Sequence, residues 1–266
     1  MYPYLLPEIF GYHVPLYDVL VFIGVFAMII YLIYRFDKID GFKKEETNIL
    51  IIFIFISLFV GIGFTFLLDG IFHSIKAGEI SFGSVSFLGS LIGGLAAFLL
   101  LIKFFYRGNK TYLKMINALI TGVVLAHAIG RIGCFFAGCC YGVPTDSILG
   151  VVFPHGLAAE TYPNQALYPT QLLESLFLFI LFICLNKVKP FKKRELQVYL
   201  ISYGLFRFLI EFIRGDNRGE VFVLFKTKHG VFPSPAQLIS FLMIIIGVVL
   251  IFIFERKGSR NDAEKL

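Results

Sequence analysis

A small set of ionisable side chains sits inside or at the ends of long apolar runs: Arg131, Glu174, Arg207, Glu211 and Arg214. In a bilayer each costs at least about 2.5–3.5 kcal/mol, so such groups point to function by default. Tyr203, Arg207, Glu211 and Arg214 are spaced by four, four and three residues, which predicts one stripe along one helix. Gln171 and Glu174 lie near the start of the preceding apolar run. The three arginines face two in-span acids, which implies an uncompensated positive charge at one membrane level. Guanidinium suits bidentate phosphate recognition, so the expected partner is an anionic lipid headgroup. The same spacing also fits an i,i+4 ion-pair ladder that pins one helix to its neighbours.

A second group of reactive types is Cys134-Phe135-Phe136-Ala137-Gly138-Cys139-Cys140-Tyr141, following Gly133. The fourth cysteine, Cys184, lies within an apolar run. The spacing is neither Cys-x-x-Cys nor a recognised zinc pattern, so no metal site is expected from it. Small side chains packing a glycine-rich turn are one reading, and a thiol–disulfide relay is another. A catalytic thiolate is a third, because a nearby Arg131 lowers a thiol pKa. His127 falls within an apolar run and reads either as a core imidazole or as a proton carrier.

These residues need a membrane scaffold. The chain has 266 residues, is 58% hydrophobic and is only 16% charged, with a mean hydropathy of +0.82. No soluble fold of this size buries so much apolar side chain. Seven apolar runs are long enough to span a core of about 30 Å: 16–36, 47–68, 84–103, 112–131, 170–186, 196–213 and 235–254. The expected fold is an all-α integral membrane protein, a single transmembrane domain over 1–266, with an outer loop at 132–169. The first run lacks a basic segment before it and a small-residue cleavage site after it, so it reads as a retained helix. The formal charge is +6, yet 17 of the 24 basic residues lie in the segments 35–44, 103–114, 187–194 and 256–265, all on one side of the expected bundle. By the positive-inside rule this predicts an outer N-terminus and a cytoplasmic C-terminus. The basic excess is thus a topology signal, which removes the nucleic-acid reading.

Several motifs then carry a resemblance. Gly130-Arg131-Ile132-Gly133-Cys134-Phe135, Tyr168-Pro169-Thr170-Gln171-Leu172-Leu173-Glu174, the run from Tyr203-Gly204 through Arg207 to Glu211-Phe212-Ile213-Arg214, and Ser234-Pro235-Ala236-Gln237 occur in that order. Together they resemble the bacterial prolipoprotein diacylglyceryl transferases. The resemblance implies transfer of the diacylglyceryl group of phosphatidylglycerol to the lipobox cysteine of a preprolipoprotein signal peptide, with release of glycerol phosphate. It implies a multi-pass protein of the bacterial cytoplasmic (inner) membrane, without cofactor or metal. Arg131, Arg207 and Tyr203 match the catalytic, phosphate-holding positions. Gly133, Cys134, Cys139, Tyr141, Gln171, Glu174, Glu211 and Arg214 are expected to bind substrate. Three positions depart from the family pattern: Leu88 stands for a histidine, Cys134 for an asparagine and Cys139 for a glutamate. A paralogue with another acceptor, a lipid-binding or flipping protein, and a membrane thiol oxidoreductase are the alternatives that these departures raise.

Overall fold

The computed structural model describes residues 4, 13–77, 87–108, 111–216, 224–227 and 230–263. The architecture is helical. The helices are α1 (Leu16–Tyr34), α2 (Lys44–Ala77), α3 (Phe87–Phe105), α4 (Tyr112–Phe136), the short α5 (Leu157–Thr161), α6 (Thr170–Lys187), α7 (Glu195–Ile210) and α8 (Pro235–Ala263). Among the described residues six helices are long and apolar enough to cross a membrane. The expected third span corresponds to α3, whose apolar stretch Ile92–Phe105 is shorter; residues 84–86 of that expectation lie outside the described residues. Large side chains such as Phe22 (75% exposed) and Phe59 (74%) face outward, as lipid-facing helices require.

The chain divides into two compact units, Tyr31–Met115 and the remainder, Met1–Ile30 with Ile116–Leu266. In the Tyr31–Met115 unit α2 packs on α3 through small residues. A Cβ on Gly61 would lie 2.5 Å from the Ser90 carbonyl oxygen, so glycine is what lets the two backbones approach. The Ser90 hydroxyl donates to Thr65 Oγ1 at 3.1 Å across the same contact.

In the other unit, α4, α6 and α7 share a core of Ile120, Val124 and Ala128 with Leu178, Leu181 and Leu185 and with Tyr199 and Tyr203. The Ser175 hydroxyl of α6 donates to the Ala128 carbonyl of α4 at 2.8 Å. This bond satisfies a hydroxyl that would be costly in an apolar core.

Three boundaries differ from the hydropathy pattern, each for a local reason. Helix α4 runs past Arg131 to Phe136 and stops in a Schellman turn. The Gly138 amide donates to the Phe135 carbonyl and the Cys139 amide to the Cys134 carbonyl, both at 3.2 Å, and Gly138 supplies the positive φ of 65°. Helix α7 stops at Ile210 and tightens into a 3-10 turn at Glu211–Ile213. Arg214 is then extended, with φ −81° and ψ 141°, so the predicted single stripe ends at Glu211.

The third difference is at 132–169, which is a built structure rather than an open loop. Strands β1 (Val151–Val152) and β2 (Ala166–Leu167) pair antiparallel, and Tyr141, Phe153, Ala158 and Leu167 form a small buried core beneath them. A second antiparallel pair, β3 (Phe225–Thr227) and β4 (Gly230–Phe232), precedes α8. The described residues are consistent with the all-α expectation, to which the connections add these short strand pairs.

Candidate functional site

Glu174 is the hub. Its Oε1 accepts a hydrogen bond from the Tyr203 hydroxyl at 2.8 Å and lies 3.0 Å from Arg131 Nη2. His127 Nε2 is 3.8 Å from the same oxygen, and the His127 ring meets Tyr203 edge-on at 5.4 Å between centroids. One carboxylate of α6 thus gathers groups from α4 and α7. Glu174 is 1% exposed, and a carboxylate so buried is tolerable only with such partners. The aromatic stack of Tyr199 on Tyr203, with ring centroids 5.4 Å apart, fixes the phenol from below.

A second ion pair joins Arg207 Nη1 to Glu211 Oε2 at 3.1 Å along α7 and its 3-10 turn. Ser234, at the N-cap of α8, orients Glu211 by donating to its Oε1 at 2.6 Å. Ser234 also forms a capping box: the Gln237 amide donates to its hydroxyl at 3.2 Å, and its own amide donates to Gln237 Oε1 at 2.9 Å. Pro235 at the first helical position completes the start signal.

Arg214 grips Asp216 with two bonds, Nε to Oδ1 at 2.9 Å and Nη2 to Oδ2 at 2.6 Å. The bidentate bond to Asp216, together with that carboxylate's charge, holds the guanidinium above its ordinary range, against the burial that opposes it. This overturns the charge count made from sequence. Each of the three arginines has a carboxylate, because Asp216 lies just beyond the span and was not counted. What is left over is a donor rather than a net charge. Arg131 Nε is buried without a hydrogen-bond partner among the described residues.

The cysteines converge. The Schellman turn sets Cys134, three residues before the helix cap, beside Cys139, two residues after it. Cys140 follows with φ 59°. The three Sγ atoms lie within 4.8 Å of one another, and all four cysteines of the chain are free thiols. Two polar side chains at the start of α6 hold this turn by its backbone. Gln171 Nε2 donates to the Cys139 carbonyl at 2.5 Å, and Thr170 Oγ1 donates to the Cys140 carbonyl at 2.7 Å. Hydrogen bonds from the Cys134 and Cys139 thiols, reinforced by the charges of Arg214 and Arg131, push the Cys140 thiol well below its ordinary range. The bonds with its neighbours push Cys139 upward.

The remaining expected site residues have structural positions. Tyr141 is buried in the loop core, its hydroxyl donating to Thr161 Oγ1 at 2.9 Å. Gly133 faces α1, where a Cβ would lie 3.2 Å from the Tyr17 ring. Leu88, the position of the missing histidine, has its side chain outside the described residues. Sequence reasoning placed His127 but not its contact with Glu174, and it passed over Ser234 and Asp216 as site members. The Ser-x-x-Gln box before an apolar run was the available signal for Ser234.

Residues 5–253 match the family model described as prolipoprotein diacylglyceryl transferase. A phosphatidylglycerol–prolipoprotein diacylglyceryl transferase of Clostridium tetani is 35% identical over 248 residues, which cover 91% of this chain and 93% of that protein. The transferase 2 of the same description from Clostridium perfringens is 37% identical over 182 residues, covering 66% and 65%. A relative so named from Finegoldia magna is 26% identical over 263 residues, covering 96% and 97%.

Proposed function

Because the chain belongs to the prolipoprotein diacylglyceryl transferase family, we propose that it moves the diacylglyceryl group of phosphatidylglycerol to the lipobox cysteine of a preprolipoprotein signal peptide. The sulfur attacks the glyceryl carbon, a carbon–sulfur bond forms, and the carbon–oxygen bond to phosphate breaks. Glycerol phosphate leaves, and the thiol proton is released. The protein is a multi-pass enzyme with seven transmembrane helices, an outer N-terminus and a cytoplasmic C-terminus. It sits in the bacterial cytoplasmic membrane, with the reaction at the outer level.

Arg131 carries this reading. Glu174 holds its Nη2 at 3.0 Å, while its buried Nε has no hydrogen-bond partner among the described residues. A phosphate oxygen is the acceptor that would complete it. Charge grows on that oxygen as the carbon–oxygen bond breaks, so a fixed guanidinium stabilises the transition state more than the bound lipid. Arg207, anchored by Glu211, is the second cation, and Tyr203 keeps Glu174 and hence Arg131 in place. The substrate-binding roles of Gln171, Arg214, Cys134, Cys139 and Tyr141 are extensions of the same proposal.

The test is direct. Purified protein in phosphatidylglycerol vesicles, given a lipobox peptide, should yield a thioether-linked diacylglyceryl peptide and free glycerol phosphate. The gene should also restore lipoprotein maturation to a cell lacking its own transferase. Failure in both settings, with folded protein and several lipobox peptides, refutes the proposal.

A further inference from the structure

Cys134, Cys139 and Cys140 are three thiols at one turn, with all Sγ atoms within 4.8 Å of one another. A tetrahedral zinc–thiolate site, with bonds of about 2.3 Å, sets its sulfurs about 3.8 Å apart. The side chains are therefore about 1 Å from a coordinating geometry, a gap that χ1 adjustments cover. The backbone beneath them is fixed by the Schellman turn and by Gln171 and Thr170. Each of the three residues is half-buried.

We propose that Cys134, Cys139 and Cys140 form a three-thiolate site for a soft tetrahedral cation, zinc being the natural probe, and that the acceptor cysteine thiol supplies the fourth ligand. This rests on the transferase reading and supplies what that reading lacks, a way to make the acceptor a nucleophile. Catalytic zinc sites keep three protein ligands and one open position. A thiol that coordinates there loses its proton outright. The incoming R–SH binds as R–S⁻ and releases H⁺ to water. Its sulfur electron pair forms the bond to the glyceryl carbon. The carbon–oxygen bonding pair leaves with glycerol phosphate, and the thioether, a weaker ligand, departs. No electron is gained or lost by the cation. Leu88 stands where the family resemblance expects a histidine, and a metal-bound thiolate needs no such base.

The magnitude sets the test. A free cysteine thiol with a pKa near 8.5 is only about 3% thiolate at pH 7, so full deprotonation raises the reactive fraction about thirtyfold. The full-length protein, purified in detergent and stripped with a chelator, is titrated with zinc and separately with cobalt. The expected result is about one equivalent bound, protection of three of the four cysteines from alkylation while Cys184 stays reactive, and a thiolate-to-cobalt charge-transfer band. Cys139→Ser should abolish the band, and Cys184→Ser should leave it. A lipobox peptide should shift the band, whereas its cysteine-to-serine analogue should not. In the wild-type protein, chelation should lower transfer about thirtyfold at pH 7, with the loss shrinking as pH approaches 9.

Absence of the band in folded wild-type protein overturns the proposal, as does a disulfide among these three residues in protein isolated from cells. Transfer undiminished by chelation also overturns it and leaves the transferase reading intact. A peptide-sensitive cobalt band without any thioether product supports the metal site and counts instead against that reading.

Discussion

Tyr203 and Glu174 meet at 2.8 Å across the α6–α7 contact, and the carboxylate oxygen that accepts from the phenol is the one that holds Arg131. The consequence is that the arginine's position is set from three helices, so lipid recognition and bundle packing are one problem in this molecule. A pocket that must hold a growing negative charge gains from being rigid before the substrate arrives.

Glu174→Gln keeps the size of the side chain and removes its charge. It leaves the Arg131 cation buried without its partner, which costs about 3–5 kcal/mol. We expect a markedly lower melting temperature in detergent together with loss of transfer. Tyr203→Phe removes one bond to a charged group, about 1.5–3 kcal/mol, and should cost less stability than Glu174→Gln. Equal melting temperatures for Glu174→Gln and wild type would contradict the hub role.

Arg131→Lys and Arg207→Lys preserve charge but lose the planar fork. A lysine cannot both pair with the carboxylate, Glu174 for position 131 or Glu211 for position 207, and present a second directed donor. Transfer should fall at least about a hundredfold, the scale of losing one transition-state donor. The fall should appear mainly in kcat, because the interaction strengthens as the leaving group acquires charge. A change confined to KM would indicate that the guanidinium serves ground-state binding alone.

Ser234→Ala removes the N-cap of α8 and the donor to Glu211 in one step. Caps are typically worth about 1 kcal/mol, and a buried carboxylate left short of a partner adds about 1–3 kcal/mol. Ser234→Thr keeps the hydroxyl and should recover most of the loss. A melt in which alanine and threonine behave alike would detach Ser234 from the site.

Gly138→Ala is strained twice. The residue has φ 65°, and its Cβ would press on the His155 carbonyl oxygen. A cost of about 1–3 kcal/mol is expected, with the thiols no longer held at one point, so that zinc should cease to protect Cys134, Cys139 and Cys140 from alkylation. Gly130→Ala is the contrast, since its Cβ meets nothing within 4 Å. In a helix interior it should be neutral or stabilising by about 0.5–1 kcal/mol. Zinc protection is expected to survive that change.

Much of the site was legible because membrane burial makes polar residues conspicuous. Arg131, Glu174, Arg207 and Glu211 stood out as charges in apolar sequence, and the i,i+4 rule paired Arg207 with Glu211 as the structure does. The charge balance was misjudged at Arg214, because the helix ends before it and turns its side chain toward Asp216, outside the window that hydropathy defines. Tyr141, expected as a substrate contact from its place in the motif, lies in the core of a small folded loop. Short strand pairs of two or three residues leave no periodic signal, so neither that core nor the hairpin before α8 was visible.

The sequence by itself determined a helical membrane protein, the positions of six spans to within a few residues, and the family to which it belongs. Those properties follow from hydropathy, glycine and proline placement and motif order, all of which act locally along the chain. Only the tertiary structure decided which carboxylates Arg131 and Arg214 hold, that Glu174 unites three helices, and that the thiols converge. These depend on where helices end and how they are packed. A turn that reverses the chain brings residues five apart side by side, and helix packing joins residues dozens of positions apart, which no linear spacing records.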